Sequence, residues 1–226
     1  MSAKERLSEA AFELFGERGY DQTTVDDITE RAGVGRTTFF RAFRAKEDVI
    51  FPDHDVLLGA IEARLTGSTD RTALLAVTEA SRLVLRHYLA EGERALTRYR
   101  LTRSVPALRD REIAGVQQYQ RLFRGFLHRW MGGGEENALR AELMAGAVVT
   151  AHNHVLRRWL RGQTSTPEQE FDAAMAETVD LFARSGGDED GSIVVFRTKK
   201  DIGAVLPELH RLLGEPRSAQ AGPLEP

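Results

Sequence analysis

Residues 24–46 read TVDDITERAGVGRTTFFRAFRAK, in which two short amphipathic segments flank a turn that contains glycine. Thr24 is a typical N-cap residue, and the acidic side chains that follow it suit the positive end of a helix dipole. Gly33 can adopt the left-handed conformation that ends a helix, and a second segment begins after Gly35. The stretch therefore predicts two helices joined by a tight turn.

The charge of the chain changes sign along this stretch. Acidic residues predominate up to Glu30, whereas five basic residues and no acidic residue lie between Arg31 and Lys46. A local cationic patch of this kind is what the phosphates of DNA attract, although a solvated charged face explains the charge equally well.

Two helices with a three-residue turn, the second one short, have the spacing of a helix-turn-helix, whose second helix enters the major groove of DNA. Val34 would fill the gap between the helices, and Phe39 and Phe43 would anchor the second helix from behind. The outward face would carry residue types that read bases and phosphates, namely Arg36, Thr37, Thr38, Phe40 and Arg41.

The rest of the chain is also helical in its apolar periodicity. A first helix carries Leu7, Leu14 and Phe15 on one face and should end at Gly19. A fourth segment should run from Lys46 to about Leu65, with a kink or a restart at Pro52. Further helices are predicted at about 71–90, 93–104, 107–131, 135–161 and 167–185, separated by Gly- and Pro-bearing breaks.

The C-terminal end differs from the helical part. An acidic, glycine-rich stretch after residue 185 predicts a flexible linker, and Ile193–Phe196 is a β-branched run typical of one isolated strand. We therefore expect an all-α chain in three parts: a three-helix helix-turn-helix domain (1–46), a helical effector-binding and dimerisation domain (47–185), and a linker and tail with one possible strand (186–226).

The composition excludes several classes of protein. The 226 residues are 42% hydrophobic and 29% charged, which supports a globular core. The chain has no run of apolar residues long enough for a bilayer, no secretory signal and no cysteine, so we expect a cytoplasmic protein without thiolate metal sites or disulfides. The net charge is -3, so any binding to nucleic acid must be local.

The stretch from Thr24 to Asp48 resembles the TetR-like family of transcriptional regulators. The resemblance is carried by Thr24-Val25, by Ile28, by the run from Ala32 to Phe43, and by Lys46-Glu47-Asp48. It implies an all-α homodimer that binds a palindromic double-stranded DNA operator and holds a small ligand in its C-terminal domain; most such proteins are repressors.

The resemblance also implies which residues contact DNA. Thr24 would cap the second helix and touch phosphate, Arg36, Thr37 and Thr38 would face bases or nearby backbone, and Lys46 would meet a phosphate. Two residues depart from the family pattern, because Phe40 replaces a common tyrosine and Gly35 a common serine. The full expected DNA-binding set is Thr24, Gly35, Arg36, Thr37, Thr38, Phe40, Arg41, Arg44 and Lys46.

Residues for the effector are harder to choose from sequence. Aromatic side chains with a few polar neighbours are typical of small-molecule pockets, and the candidates are Tyr88, Tyr99, Arg100, Arg103, Tyr119, Phe123, Trp130 and His152. Between Arg82 and Arg129 eleven arginines accompany four acids, which would suit an anionic effector such as an acyl-coenzyme A thioester. Solvated helix faces are the alternative explanation.

Two apolar stripes near the end of the helical part favour a dimer interface of four helices. They comprise Leu143, Ala147, Val148, Ala151, Val155, Leu156, Trp159 and Leu160, and Phe171, Ala174, Met175, Thr178, Val179 and Phe182. An ordinary core within one chain is the competing interpretation.

Two other classes of function remain open at this point. An enzyme is disfavoured because the chain has no nucleophile elbow, no P-loop and no dinucleotide-binding glycine pattern, and we expect no cofactor and no metal. A DNA-binding protein without small-molecule control is the other alternative.

Overall fold

The computed structural model describes residues 1–51 and 54–183, and this part of the chain is all α-helical, as predicted. It contains nine α-helices and one short 3₁₀ helix. They are α1 (Ala3–Arg18), α2 (Val25–Arg31), α3 (Arg36–Ala42), the 3₁₀ helix (Lys46–Ile50), α4 (His54–Thr66), α5 (Ala73–Glu91), α6 (Glu93–Ser104), α7 (Pro106–Trp130), α8 (Glu135–Leu160) and α9 (Pro167–Ala183).

The helix ends follow local sequence signals. The Ser2 hydroxyl accepts a hydrogen bond from the Glu5 amide, while the Glu5 carboxylate accepts one from the Ser2 amide, so α1 begins with a capping box. Gly19 ends α1 with a φ of 85°. At the start of α7, Pro106 occupies a first-turn position where a missing amide proton costs nothing.

The fourth segment differs from the prediction of an α-helix that begins at Lys46 and kinks or restarts at Pro52. Lys46–Ile50 form a 3₁₀ helix, and α4 begins only at His54. The Asp48 carboxylate accepts a hydrogen bond from the Ala45 amide, and Phe51 is extended, so the chain straightens before α4. The expectation for Pro52 itself lies outside the described residues.

A first hydrophobic cluster holds the N-terminal helices together. Leu7, Ile28 and Phe39, from α1, α2 and α3, are fully buried in it. Val49 and Ile50 of the 3₁₀ helix and Leu108 of α7 belong to the same cluster. The N-terminal core therefore draws on residues beyond position 46, and the domain division at that position stays a prediction.

A second hydrophobic cluster is formed by α4, α5, α7, α8 and α9. Its most buried large side chains include Ile61, Leu85, Leu127, Met144 and Phe171. Full burial of such side chains stabilises a fold by about 1.5–3 kcal/mol each, so this cluster is the main source of stability for the larger part of the chain. α7 and α8 are its longest members.

The predicted linker and the strand at Ile193–Phe196 lie outside the described residues. In the described ranges, none of the helices combines enough length with enough apolar character for a bilayer span.

Candidate DNA-binding surface and ligand pocket

Helix α2 is fixed at its start by a side-chain cap on Thr24, as predicted. The Thr24 hydroxyl accepts a hydrogen bond from the Asp27 amide at 3.1 Å, and the Asp27 carboxylate accepts one from the Thr24 amide at 2.7 Å. The Thr24 hydroxyl also donates to the Asp27 carboxylate at 2.6 Å, and this bond, the Thr24 amide and Arg18 at 2.8 Å lower the pKa of Asp27 to about 2. Asp27 is therefore a carboxylate throughout the physiological range, and the cap persists there.

The turn between α2 and α3 depends on Gly33. Its φ is +63°, a left-handed conformation that side chains with a Cβ disfavour. The amides of Gly33 and Val34 donate to the carbonyls of Glu30 and Thr29, at 3.1 and 3.0 Å, which closes the end of α2. The next residue but one, Gly35, is the N-cap of α3 and provides no side-chain cap.

Helix α3 is anchored by aromatic side chains on its inner face. Phe39 is fully buried, Phe43 is 7% exposed, and their ring centroids lie 5.5 Å apart. Val34 packs against the same cluster from the turn. This confirms the predicted anchoring and leaves the opposite face of α3 directed outward.

The outer face of α3 collects most of the predicted DNA-contacting residues. Arg36, Thr37, Phe40 and Arg41 are exposed and Thr38 is half-buried; Thr24, Gly35 and Arg44 beside the helix are also exposed. Their contacts with DNA stay a prediction, but the fold brings them to one surface.

Arg36 is already ordered on this surface. Its guanidinium pairs with the Asp26 carboxylate at 2.6 Å and lies 5.5 Å from the centroid of the Phe40 ring. Both partners of the ion pair are well exposed, so the pair contributes little to stability and can be exchanged for a base or a phosphate. Phe40, at 48% exposed, forms the apolar wall beside the guanidinium.

Lys46 is half-buried, and its ammonium is engaged within the fold. Its ammonium donates to the carbonyls of Tyr20 and Thr23, at 3.0 and 2.9 Å, and lies 3.8 Å from the centroid of the Tyr20 ring. The Tyr20 hydroxyl donates in turn to Glu47. Lys46 therefore ties the loop between α1 and α2 to the 3₁₀ helix, and its expected phosphate contact stays a prediction.

A cleft in the second cluster is the main candidate for a ligand site. Its free internal volume is about 50 Å³, and about 580 Å³ when the space at its open mouth is included. α5, α7 and α8 supply most of its walls. The lining residues are Phe51, Ser81, Val84, Tyr88, Glu112, Val116, Tyr119, Phe123, Val149, His152, Asn153 and Leu156.

Four of the eight predicted ligand residues meet in this cleft: Tyr88, Tyr119, Phe123 and His152. The other four do not line it, so the fold does not bring them together with the first four, and their role in ligand binding stays a prediction. Surface interactions hold three of them: the Tyr99 hydroxyl accepts from Arg103 and from Arg161, and exposed Arg100 lies 3.7 Å from Glu93.

Trp130 is the fourth residue outside the cleft. Its indole nitrogen donates to the Asp70 carbonyl at 2.9 Å, so its polar edge is directed towards the loop before α5. A tryptophan beside a helix end commonly satisfies its donor in this way, because a buried indole N–H without a partner is costly.

The polar groups of the cleft are uncharged apart from Glu112. Burial lowers the pKa of His152 to about 4, so its ring is neutral at physiological pH; its Nδ1 lies 3.4 Å from the Ser81 hydroxyl. Burial raises the pKa of Tyr88 to about 12, and burial also raises the pKa of the Tyr119 hydroxyl. The pKa of Glu112 is raised by burial, against the lowering effects of Arg157, of Arg98 and of a hydrogen bond with the Thr102 side chain.

Sequence reasoning missed the other lining residues, although helical spacing carried a signal for them. Glu112, Val116, Tyr119 and Phe123 follow one another on one face of α7, and Val149, His152, Asn153 and Leu156 do so on α8. A carboxylate on the same helix face as a row of apolar side chains is unusual, because an unpaired charge in a core is costly. That signal marks Glu112 as a site residue.

Some arginines of the arginine-rich segment pair with acids outside it. Arg82 pairs with Glu79 and with Asp172, and Arg86 with Glu168. Arg111 pairs with Asp48 at 2.6 Å. Part of the arginine excess between residues 82 and 129 is therefore neutralised by α9, the 3₁₀ helix and α5, and no arginine is among the described residues that line the cleft.

The predicted dimer stripes divide into two groups. Val148, Val155, Phe171 and Met175 are buried within the chain, so the competing interpretation of an intrachain core is correct for them. Leu143 of the first stripe is 56% exposed. Leu139 and Leu181, which the stripes did not include, are exposed as well. The exposed apolar face of α8 and α9 is therefore narrower than predicted.

The described residues are helical, with an exposed cationic helix in a helix-turn-helix and a cleft in a separate hydrophobic cluster. This arrangement suits a DNA-binding regulator. Residues 7–51 match the family described as bacterial regulatory proteins, tetR family. This match supports a TetR-like transcriptional regulator, as the resemblance of residues 24–48 implied.

Relatives of known name agree with this assignment. The transcriptional regulator MftR of Mycobacterium tuberculosis, named for mycofactocin biosynthesis, is 26% identical over 172 residues, which are 74% of this chain and 85% of that protein. The HTH-type transcriptional regulator TcmR of Streptomyces glaucescens is 38% identical over 86 residues, 36% of this chain and 37% of TcmR. Both are regulators and not enzymes, which decides against the enzyme alternative.

Among solved structures, the fold is similar to that of SmeT in its complex with triclosan. The TM-score is 0.61 at 18% sequence identity, and the match covers 88% of this chain and all of that one. At this identity the likeness concerns the fold, including the order of the helices.

Proposed function

We propose that this protein is a ligand-released transcriptional repressor that binds a palindromic operator as a homodimer in the cytoplasm. The observation that carries the proposal is the position of Phe51. This residue directly follows the 3₁₀ helix, packs against the N-terminal hydrophobic cluster and also lines the cleft. One side chain thus contacts both the core that supports α3 and the space that a ligand would occupy.

The DNA-binding half of the proposal is supported by the outer face of α3. An arginine at the start of a recognition helix is suited to bidentate contact with guanine, and threonines are suited to phosphates and to the methyl group of thymine. Arg41 and Arg44 add positive charge along the same side. We assign base reading to Arg36 and phosphate contact to Arg41 and Lys46.

The dimer is supported by the exposed leucines of α8 and α9. Leu139, Leu143 and Leu181 are each more than half exposed, and an apolar face of this kind marks an interaction surface. Two-fold symmetry would place two α3 helices in successive major grooves, which is why the operator should be palindromic.

Release by ligand follows as a population shift. A ligand that fills the cleft and moves Phe51 would favour a state in which the two α3 helices no longer match the groove spacing. An allosteric coupling of about 1–3 kcal/mol would weaken operator binding by about 5- to 150-fold. Hydrogen bonds from Arg98 to Ile50 and from Arg111 to Asp48 also connect the larger part of the chain with the 3₁₀ helix.

The lining of the cleft does not favour the anionic effector that the arginine-rich segment suggested. An anion such as an acyl-coenzyme A thioester would need a cationic group in the cleft, and the described lining residues include none. Several of the arginines that suggested it, among them Arg82, Arg86 and Arg111, are paired with acids outside the cleft. We therefore propose a small-molecule effector, and its chemical class follows from the residues that line the cleft.

Selection of duplexes from a randomised library with the full-length protein tests the proposed function. We expect an enriched palindrome whose binding constant falls steeply with salt, and release of that duplex by at least one small molecule in a metabolite screen. No salt-dependent binding to any duplex would contradict DNA binding altogether. Operator binding that every metabolite leaves unchanged would favour the alternative of a DNA-binding protein without small-molecule control.

A further inference from the structure

The polar groups that line the cleft differ in charge. Ser81, Asn153 and the neutral ring of His152 provide hydrogen-bonding groups without charge. Glu112, from α7, provides a carboxylate. Among the described lining residues it is the one side chain that can carry a full charge near neutral pH.

The two arginines that act electrostatically on this carboxylate, Arg98 and Arg157, do not line the cleft. Arg98 is 3% exposed, and its guanidinium is occupied: both terminal nitrogens donate to the Glu91 carboxylate at 2.7 Å, and Nε donates to the Ile50 carbonyl. Arg157 acts on Glu112 electrostatically but is itself exposed, one residue beyond Leu156 of the lining. Solvent screens its charge more than that of a group inside the cleft.

The remaining walls suit an apolar body, in particular one with a cationic end. Four aromatic rings line the cleft, those of Phe51, Tyr88, Tyr119 and Phe123. Aromatic faces attract cations as well as apolar groups, and Arg98 already uses the Tyr88 ring in this way, with its guanidinium 5.4 Å from the ring centroid. A second cation on the cleft side would meet aromatic faces and Glu112 together.

We propose that the effector is a lipophilic amine, an apolar molecule with one protonated nitrogen, whose nitrogen pairs with the Glu112 carboxylate. This inference rests on the proposed function only in that the cleft is taken as the effector site. The aromatic and aliphatic walls hold the apolar part, and Glu112 selects a cation over a neutral or anionic head group. An anionic ligand of the same shape would bring a second negative charge next to Glu112 and bind more weakly.

Three probes of matched shape test this inference: 4-phenylbutylamine, 4-phenylbutanol and 4-phenylbutyrate. Their dissociation constants are measured by calorimetry with the full-length protein in the absence of DNA. We expect the amine to bind about tenfold more tightly than the alcohol, a difference typical of one partly buried ion pair, and the butyrate to bind most weakly. Butyrate binding at least as tight as that of the amine, or binding of none of the three, would overturn the inference.

Variants separate the role of charge from that of shape. Glu112→Gln should abolish the advantage of the amine over the alcohol, whereas Glu112→Asp should keep most of it. Arg157→Gln should strengthen amine binding a few-fold, because a competing positive charge is removed. Glu93→Gln makes the same change of charge at a residue whose side chain is 85% exposed and outside the cleft, and should leave all three constants unchanged.

An unchanged order of the probes in Glu112→Gln would overturn the role of Glu112, provided that circular dichroism shows the variant to be folded. If Glu112→Gln does not fold, Glu112→Asp and Arg157→Gln still decide between charge and shape. Release of the selected operator is measured separately. If the amine binds but does not release the operator, the proposed function is contradicted and the inferred ligand class still holds. If an unrelated anion releases the operator, the proposed function holds and the inferred ligand class is contradicted.

Discussion

The Nε of Arg98 donates a hydrogen bond to the carbonyl oxygen of Ile50, 48 residues earlier in the chain. Ile50 is the last residue of the 3₁₀ helix and is buried in the N-terminal cluster, whereas Arg98 lies on α6 beside the Tyr88 wall of the cleft. A buried guanidinium thus connects the DNA-binding part of the chain with the ligand-binding part. A second connection, from Arg111 to Asp48, reaches the same 3₁₀ helix from α7.

Replacement of Arg98 should therefore destabilise the fold strongly. Arg98→Met keeps much of the side-chain volume but leaves the Glu91 carboxylate without its bidentate partner and the Ile50 carbonyl without its donor. Breaking one side of a buried ion pair costs about 3–5 kcal/mol, and urea unfolding should show a loss of this size.

The control for this prediction is the neighbouring Arg100. It lies on the same helix, is 69% exposed in its side chain, and its nearest acid is 3.7 Å away. Arg100→Met should change the free energy of unfolding by less than about 0.5 kcal/mol. Equal losses in the two variants would show that the buried hydrogen bonds of Arg98 are not what stabilises this junction.

Arg36 and Arg41 should differ in what they contribute to DNA binding. Arg36→Ala should cost about 1–3 kcal/mol on the selected operator and relax the base preference, since the arginine at the start of α3 is placed to read a base. Arg41→Ala should weaken binding to operator and random duplexes alike and reduce the salt slope by about one. Band-shift titrations over a salt series measure both effects. Equal losses of Arg36→Ala on operator and random DNA would reject its role as a base reader.

The burial of His152 makes stability depend on pH in a definite direction. Its folded-state pKa of about 4 lies below the ordinary value of 6.5, so the unfolded chain takes up a proton below about pH 6.5 that the folded chain does not. Stability from this group is complete above pH 6.5 and declines as the pH falls towards 4, by about 1.4 kcal/mol for each unit.

Comparison with a variant isolates this contribution from that of the carboxylates. Between pH 7 and pH 5 the wild-type protein should lose about 2 kcal/mol more than His152→Gln in urea unfolding. His154→Gln, two residues further on the same helix and exposed, should keep the wild-type dependence. A His152→Gln profile parallel to that of the wild type would contradict the assignment.

Gly33 and Gly35 lie two residues apart but serve different purposes. The φ of Gly33 is +63°, whereas Gly35 has an ordinary φ of -81° and open space around its Cα. Gly33→Ala should destabilise the protein by about 1 kcal/mol, and Gly35→Ser should stabilise it by a few tenths, since its hydroxyl can cap α3. Thermal unfolding measures both, and Gly35→Ala is the control for loss of glycine flexibility alone. A stabilising Gly33→Ala would show that the turn is not constrained as the structure indicates.

Sequence alone predicted the helix-turn-helix and the helix ends well because local interactions determine them. α6 has the predicted limits, and α7 and α8 differ from prediction by a residue at one or both ends, since Gly and Pro separate them. The predicted α-helix was wrong for Lys46–Ile50, because the local hydrogen bonds form a 3₁₀ helix there although the apolar periodicity indicated an α-helix.

The cleft was predicted only in part because its composition depends on contacts between distant residues. Arg98, Arg100 and Arg103 are similar in sequence, yet Arg98 is buried and the other two are not, since its partners Glu91 and Ile50 are brought together by the fold. The charge of a pocket likewise follows from which arginines have acids nearby in space. Sequence counts of arginine could not supply that information.

The exposed leucines of α8 and α9 provide the last prediction, which concerns assembly. Leu143 lies on the outer side of α8 with 56% of its surface exposed, and Leu181 lies on α9 with 63% exposed. If these faces meet across a two-fold axis, Leu143→Arg places two like charges in an apolar interface and should weaken dimerisation at least about 100-fold, or about 3 kcal/mol. Sedimentation equilibrium should then show monomers at micromolar concentration, with operator affinity reduced because only half-sites are bound.

The control for this prediction is Leu83→Arg, which changes an exposed leucine on α5 and should leave the dimer intact. A dimer that persists in both Leu143→Arg and Leu181→Arg would place the interface on another face of the protein.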